Sequence, residues 1–249
     1  MTAFDYTISE YPIRETIRQV NQRAWERLAK PGSWWTGEKR IAIAAEVRNA
    51  PGCRLCDERK AAISPEAIQG RHDSLGVLEE SVVDAIHRIT RDAGRLSRSW
   101  FERVTANSES FSDGHYVEML GILVTVLGID SFHRGIGLPP EPLPSPIKGE
   151  PSLYRPKAAV ADGAYVPMLR FEDAQGDESD LWKGHSGGNV TRAMSLVPDA
   201  VRQLNDIEAI YYLSVSEIAS PTHNGGKAID REQIEFLASR VSALNECFY

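Results

Sequence analysis

The sequence is poor in cysteine: 3 in 249 residues, an odd number, which excludes a disulfide scaffold. It is also short of positive charge, with 28 Lys and Arg against 35 Asp and Glu, a net charge of −7. That balance argues against a nucleic-acid partner, because phosphates require clustered cations. Long apolar runs are missing too. The longest, Met119 to Ile129, falls short of the roughly 20 residues of a helical span, so no membrane partner is expected. The first residues, MTAFDYTISEY, have neither a basic n-region nor an apolar h-region. No secretory signal is read there, and a cytoplasmic location is expected. Strand signals are scarce as well: no long period-two run occurs, and no Asn-Gly turn joins two apolar segments.

What is present is helical periodicity. Ile13, Ile17, Val20, Ala24 and Leu28 recur at spacings of three and four after Pro12, which predicts a helix over 12–29. Thr36 is placed to cap a helix carrying Ile41, Ala44, Ala45 and Val47. Ser64-Pro65-Glu66 reads as a cap followed by proline at a first helical position. Val82, Val83, Ile86 and Ile89 mark a helix over 79–91. Ser112 and Asp113 precede a long apolar helix closed by Gly135 and Gly137. Pro198 opens a helix with Val201, Leu204 and Ile207. Asp230 caps the last one, with Gln233 placed for a capping box. The predicted fold class is all-α.

Seven of the 14 prolines fall between Pro139 and Pro156. Such a segment cannot continue a helix and reads as a stiff, extended linker. The predicted organisation is a first unit over 1–138, a Pro-rich and irregular stretch over 139–180, and a second unit over 181–249.

Cys53 and Cys56 form C-R-L-C. Three readings are open at this spacing. One helical turn can bring two thiols within disulfide reach, giving a redox dithiol. The pair can supply half of a zinc site. It can also be two inert buried thiols. Zinc needs two further ligands, and neither a second complete C-x-x-C nor an H-x(3–5)-H pair occurs among the 6 histidines. The expectation is therefore no metal and no cofactor.

The segment ending at Cys53 has a counterpart near the end of the chain. TGEKRIAIAAEVRNAPGC from Thr36 lies over DREQIEFLASRVSALNEC from Asp230. Glu38 meets Glu232, Ala44 meets Ala238, Val47 meets Val241 and Cys53 meets Cys247. Each copy is a capped helix, a short turn and a cysteine. With the stretches Arg40–Pro65, Ser112–Pro139, Asn189–Val201 and Arg231–Tyr249 in this order, the chain resembles the alkylhydroperoxidase D (AhpD)-like and carboxymuconolactone decarboxylase-like superfamily. The resemblance is to a two-repeat, peroxidase-related form.

The resemblance implies an AhpD-like helical fold in two tandem repeats. It also implies a thiol-dependent peroxidase that reduces hydroperoxides with electrons from an external dithiol reductant, and a small homo-oligomer. Its full site resembles E-x(11)-C-x-x-C-x(3)-H, in which the second cysteine attacks the peroxide, the first resolves it, and Glu and His relay protons. Carried over, Cys56 takes the peroxidatic position and Cys53 the resolving one. The glutamate position is occupied by Ile41 and the histidine position by Lys60, so two of the four parts are missing. Glu46 is a substitute base on the same helix, although about 140° around it from Ile41; it also reads as a residue of a solvated face. In the second copy, Glu235 takes the glutamate position and Cys247 the resolving one, and Tyr249 ends the sequence one residue before a second pair would close. The expectation drawn here is that the natural chain continues.

Two histidines can stand in for the missing relay: His133 near a helix C-terminus and His87 beside Ile86. Both also read as ordinary structural histidines. His72, His115, His185 and His223 lie in polar stretches and receive no role. Trp34-Trp35 reads as core or subunit packing. GHSGGN at 184–189 lacks the strand context of a phosphate loop. The candidate catalytic set is thus Cys56, Cys53, Glu235, Cys247, Glu46 and His133. Two other functions remain open: a decarboxylase-like enzyme, against which the cysteine pair argues, and a binding or assembly protein on the same scaffold, which the absent Glu and His favour.

Overall fold

Local caps and apolar spacing set most helix boundaries in the computed structural model, which describes residues 4–106, 109–182, 188–245 and 247. The helices are α1 Glu15–Ala29, α2 Gly37–Asn49, α3 Arg54–Ala61, α4 Glu80–Asp92, α5 Arg98–Val104, α6 Asp113–Gly135, α7 Asn189–Arg192, α8 Pro198–Tyr211, α9 Val215–Ile218 and α10 Arg231–Leu244. The Thr36 hydroxyl accepts the Lys39 N–H at 3.3 Å, as its position predicts. Asp230 and Gln233 form the reciprocal cap of α10. Ser112 caps α6, with the His115 ring accepting the Ser112 N–H in return. Two expectations are corrected. The first helix begins at Glu15 rather than near Pro12. Ser64-Pro65-Glu66 yields only a single 3-10 turn over Pro65–Ala67, and the Ser64 side chain makes no cap bond.

The all-α class holds. Among the described residues the sole pairing of extended backbone is one antiparallel bridge between Val160 and Met168. The core forms around α6, which is packed by α2 and α8 and carries the fully buried Val117, Met119, Val126 and Ile129. α6 is long and apolar enough, by length and composition, to cross a membrane, and more than half of that apolar stretch is buried inside the fold. A helix apolar on most of its circumference is what a protein core requires. Its polar residues are answered internally: Glu118 pairs with Arg40 and accepts the Trp34 N–H at 2.6 Å, and Asp130 receives Arg48 in a two-pronged contact at 2.7 and 2.8 Å. Trp35 is buried in the core, as its sequence context suggested.

The Pro-rich stretch is extended, and it is also bonded down. Ile147 N–H donates to Ala29 O at 2.7 Å and Leu153 N–H to Ser33 O at 2.8 Å, while Trp25 donates its indole N–H to Pro142 O. The strap crosses the start of α2 so closely that a Cβ on Gly37 would lie 2.5 Å from Ile147 O and 2.6 Å from Ala29 O. Only glycine fits there. Further on, Leu169, Leu181, Trp182, Met194 and Val201 form a second apolar cluster, with Leu120 of α6 and Ala158 packed against it. α8 lies against both α1 and α6.

Candidate functional site

The turn Ala50–Gly52, built on Pro51, delivers Cys53 in extended backbone as the N-cap of α3. Cys56 follows in the first turn of α3, so both sulfurs sit on one side of that helix end. Both are buried, and neither is in a disulfide. The loop after α3 folds back over them. His72 on that loop places Nδ1 3.5 Å from Cys53 Sγ and 3.4 Å from Cys56 Sγ. α4 supplies the fourth group: His87 Nδ1 lies 3.3 Å from Cys56 Sγ. The ligating atoms of Cys53, Cys56, His72 and His87 all lie within 4.8 Å of one another.

Each imidazole is backed by a carboxylate on its far nitrogen. His87 Nε2 lies 2.8 Å from Glu46 Oε1. Glu46 is 1% exposed, and its other bonds come from the Leu75 N–H and the Asn49 amide, both at 3.0 Å. His72 Nε2 lies 3.0 Å from Asp84 Oδ1, which also accepts Arg59 at 2.8 Å, while Asp84 Oδ2 accepts the Trp100 indole N–H at 3.0 Å. Arg59 also comes within 3.2 Å of His72 Nε2, so Asp84 is the acceptor shared by both cations or donors. A carboxylate on Nε2 holds the Nε2–H tautomer and leaves Nδ1 a lone pair facing the sulfurs.

The two thiols are electrostatically distinct. Burial raises Cys53, but N–H groups of Cys56 and Asp73 and the His72 ring outweigh it, so Cys53 sits below the usual thiol range. The Asp73 N–H to Cys53 Sγ distance is 3.4 Å. Burial, and then the neighbouring Cys53, push Cys56 up to about 12. Burial opposes charge on both rings. On His87 burial prevails and lowers it; on His72 the contacts with Asp84 and Cys53 prevail and raise it. Asp73 is held down at about 2 by the Arg54 guanidinium, which clamps the loop to the start of α3 through bonds at 3.0 and 3.1 Å.

Of the sequence candidates, Cys53, Cys56 and Glu46 come together. Glu46 is not on a solvated face: α2 is enclosed by α1, α4 and α6, and Glu46 points between α2 and the loop that carries His72. His87 joins them, as a relay substitute would. His133 does not. Its Nδ1 is occupied by Pro139 O at 2.7 Å and its Nε2 by the Tyr6 hydroxyl at 3.0 Å, which fixes the α6 end to the chain's first turn. Glu235 lies on α10, where it accepts the Tyr212 hydroxyl and Arg231, both at 2.6 Å. Cys247 is exposed. Ile41 packs partly buried against the core, and Lys60 is exposed. His185 and most of GHSGGN lie outside the described residues.

Two residues were missed. The sequence gives His72, in a polar stretch, no role, and it offers no pointer to Asp84. Motifs for metal or relay histidines assume short spacings, whereas His72 is 16 residues and His87 31 residues from Cys56. No sequence spacing marks them: the loop after α3 and the packing of α4 against it bring both rings to the sulfurs. A cavity of about 190 Å³ lies elsewhere, lined by Leu28, Arg40, Glu118 and Gln203 among others. Arg40 there is already paired with Glu118. A cleft of about 460 Å³, lined by Arg71, His72, Ser74, Leu78, Glu80 and Val83, lies on the His72 side of the cysteine cluster.

No family model, no curated protein and no solved structure matches this chain.

Proposed function

We propose that the chain is a thiol-dependent oxidoreductase of the alkylhydroperoxidase type, in which Cys53 and Cys56 reduce a hydroperoxide and are restored by an external dithiol. The observation that carries this reading is the buried chain Cys56 Sγ–His87 Nδ1 at 3.3 Å and His87 Nε2–Glu46 Oε1 at 2.8 Å. It supplies, from different positions, the imidazole and carboxylate that Lys60 and Ile41 cannot. Cys56, whose thiol is held protonated by burial, needs such a base to attack as the resolving thiolate.

The roles we propose are the reverse of those the resemblance implies, and the electrostatics of the two thiols support this order. Cys53, at the N-terminus of α3 with backbone N–H groups aimed at its sulfur, is the attacking thiolate. It takes the distal peroxide oxygen, becomes a sulfenic acid, and with one proton releases an alcohol or water. Cys56 then attacks Cys53 sulfur. His87, backed by Glu46, draws off the Cys56 proton, and the sulfenic oxygen leaves as water. Two electrons and two protons from the external dithiol reopen the disulfide.

The test is peroxide treatment of the reduced chain with peptide mapping and a sulfenic-acid trap. Wild type is expected to form a Cys53–Cys56 disulfide that a dithiol reverses. Cys56→Ser is expected to accumulate trapped sulfenic acid on Cys53, and Cys53→Ser to react at least about 100-fold more slowly. A Cys53→Ser variant that consumes peroxide at the wild-type rate would overturn the assignment.

A further inference from the structure

Cys53, Cys56 and His87, joined by His72, also fit a second chemistry that needs no peroxide. We infer that the reduced chain binds one zinc ion through Cys53, Cys56, His72 and His87. This inference does not rest on the redox reading.

Tetrahedral zinc takes sulfur at about 2.3 Å and imidazole nitrogen at about 2.0–2.1 Å. Ligands at those lengths and a tetrahedral angle stand about 3.5 Å apart for a sulfur–nitrogen pair. Three of the four sulfur–nitrogen separations in the cluster are 3.3, 3.4 and 3.5 Å, and the fourth, Cys53 to His87, lies within 4.8 Å. The widest separation in the set stays within 4.8 Å, so drawing the four atoms onto one ion requires closure of about 1 Å, within the reach of cysteine rotamer shifts. The donor set is two sulfurs and two nitrogens, the combination that selects zinc among common cytoplasmic ions.

The outer partners fit as well as the ligands. Both histidines turn Nδ1 inward and give Nε2 to a carboxylate, Glu46 for His87 and Asp84 for His72. That arrangement orients a metal-bound imidazole and raises its basicity. Two carboxylate-backed rings thus converge, Nδ1 first, on one cysteine pair. All four positions are protein ligands, so the centre is closed, and zinc occupancy and the Cys53–Cys56 disulfide exclude each other because they use the same sulfurs. A bound ion would tie the loop bearing His72 to the start of α3 and the middle of α4.

The experiment is an anaerobic titration of the reduced, chelator-treated full chain with Co(II), followed by Zn(II). The expected result is one equivalent of Co(II) with a tetrahedral ligand-field spectrum and thiolate charge-transfer bands, displaced by one equivalent of Zn(II). Zinc is then expected to protect Cys53 and Cys56, and not Cys247, from alkylation. Glu46→Gln is expected to weaken zinc binding about 10–100-fold. His72→Ala is expected to weaken it at least as much. If that variant does not fold, the wild-type stoichiometry and spectrum decide. Absence of a stoichiometric tetrahedral Co(II) species, or zinc affinity unchanged in folded His72→Ala, would overturn the inference. The peroxide test is run on the metal-free chain, so the two readings fail separately. A chain that closes its disulfide but binds no metal sinks only this one; a chain that binds zinc but ignores peroxide sinks only the other.

Discussion

α2 with its cysteine pair and α10 with Cys247 align as repeats in sequence, and they are treated very differently by the fold. Both are capped helices that run toward a cysteine. α2 is enclosed by α1, α4 and α6, and its Glu46 is 1% exposed. α10 buries only Ile234, leaving Phe236, Leu237, Val241 and Leu244 more than half exposed. The matched valines make the contrast plain: Val47 is 0% exposed and Val241 57%. Cap chemistry is local and survives in both copies. Site chemistry depends on what neighbouring elements bring: α4 and the loop after α3 each bring an imidazole to the Cys53–Cys56 pair.

The largest expected difference between the copies is chemical. Cys53→Ser is expected to abolish peroxide-driven disulfide formation, whereas Cys247→Ser leaves its rate within twofold, read by thiol titration over time. Next comes stability. Glu46→Ala strips His87 and the Leu75 N–H of their buried partner and is expected to cost about 3–5 kcal/mol in urea unfolding. Glu235→Ala, at a position 43% exposed, is expected to cost at most about 1 kcal/mol. The valine pair gives a finer comparison: Val47→Ala loses two buried methyl groups and leaves a cavity, about 2 kcal/mol, against at most about 0.5 kcal/mol for Val241→Ala. The smallest effect is where the copies are expected to agree. Thr36→Ala and Asp230→Ala each remove one capping acceptor and are each expected to cost about 1 kcal/mol. A cost for Asp230→Ala far below that for Thr36→Ala would show that α10 is not held by its own cap.

Much of this fold was legible because its determinants are local. The caps at Thr36, Ser112 and Asp230 and the proline at Pro198 lie within a turn of the helices they start. α5 escaped because seven residues give fewer than two apolar repeats, although Ser97 caps it and Trp100 is among its buried residues. Ser64-Pro65 carried a helix-start signal that the chain does not extend, because the residues after it turn back across the α3 end to bring Asp73 and His72 to Cys53. The candidate site was half legible. The cysteine pair is a sequence motif, and Glu46 was one turn-geometry argument away from dismissal. The burial of Glu46 and the inward turn of His72 come from tertiary contacts with α4 and the following loop, which no spacing rule contains.

The most direct test of the account is where the chain's thiol chemistry resides. Reduced, metal-free protein treated with one equivalent of hydroperoxide, then alkylated and mapped by mass spectrometry, is expected to show Cys53 joined to Cys56 and Cys247 alkylated. Consumption of Cys247 with Cys53 and Cys56 both recovered as alkylated thiols would contradict it.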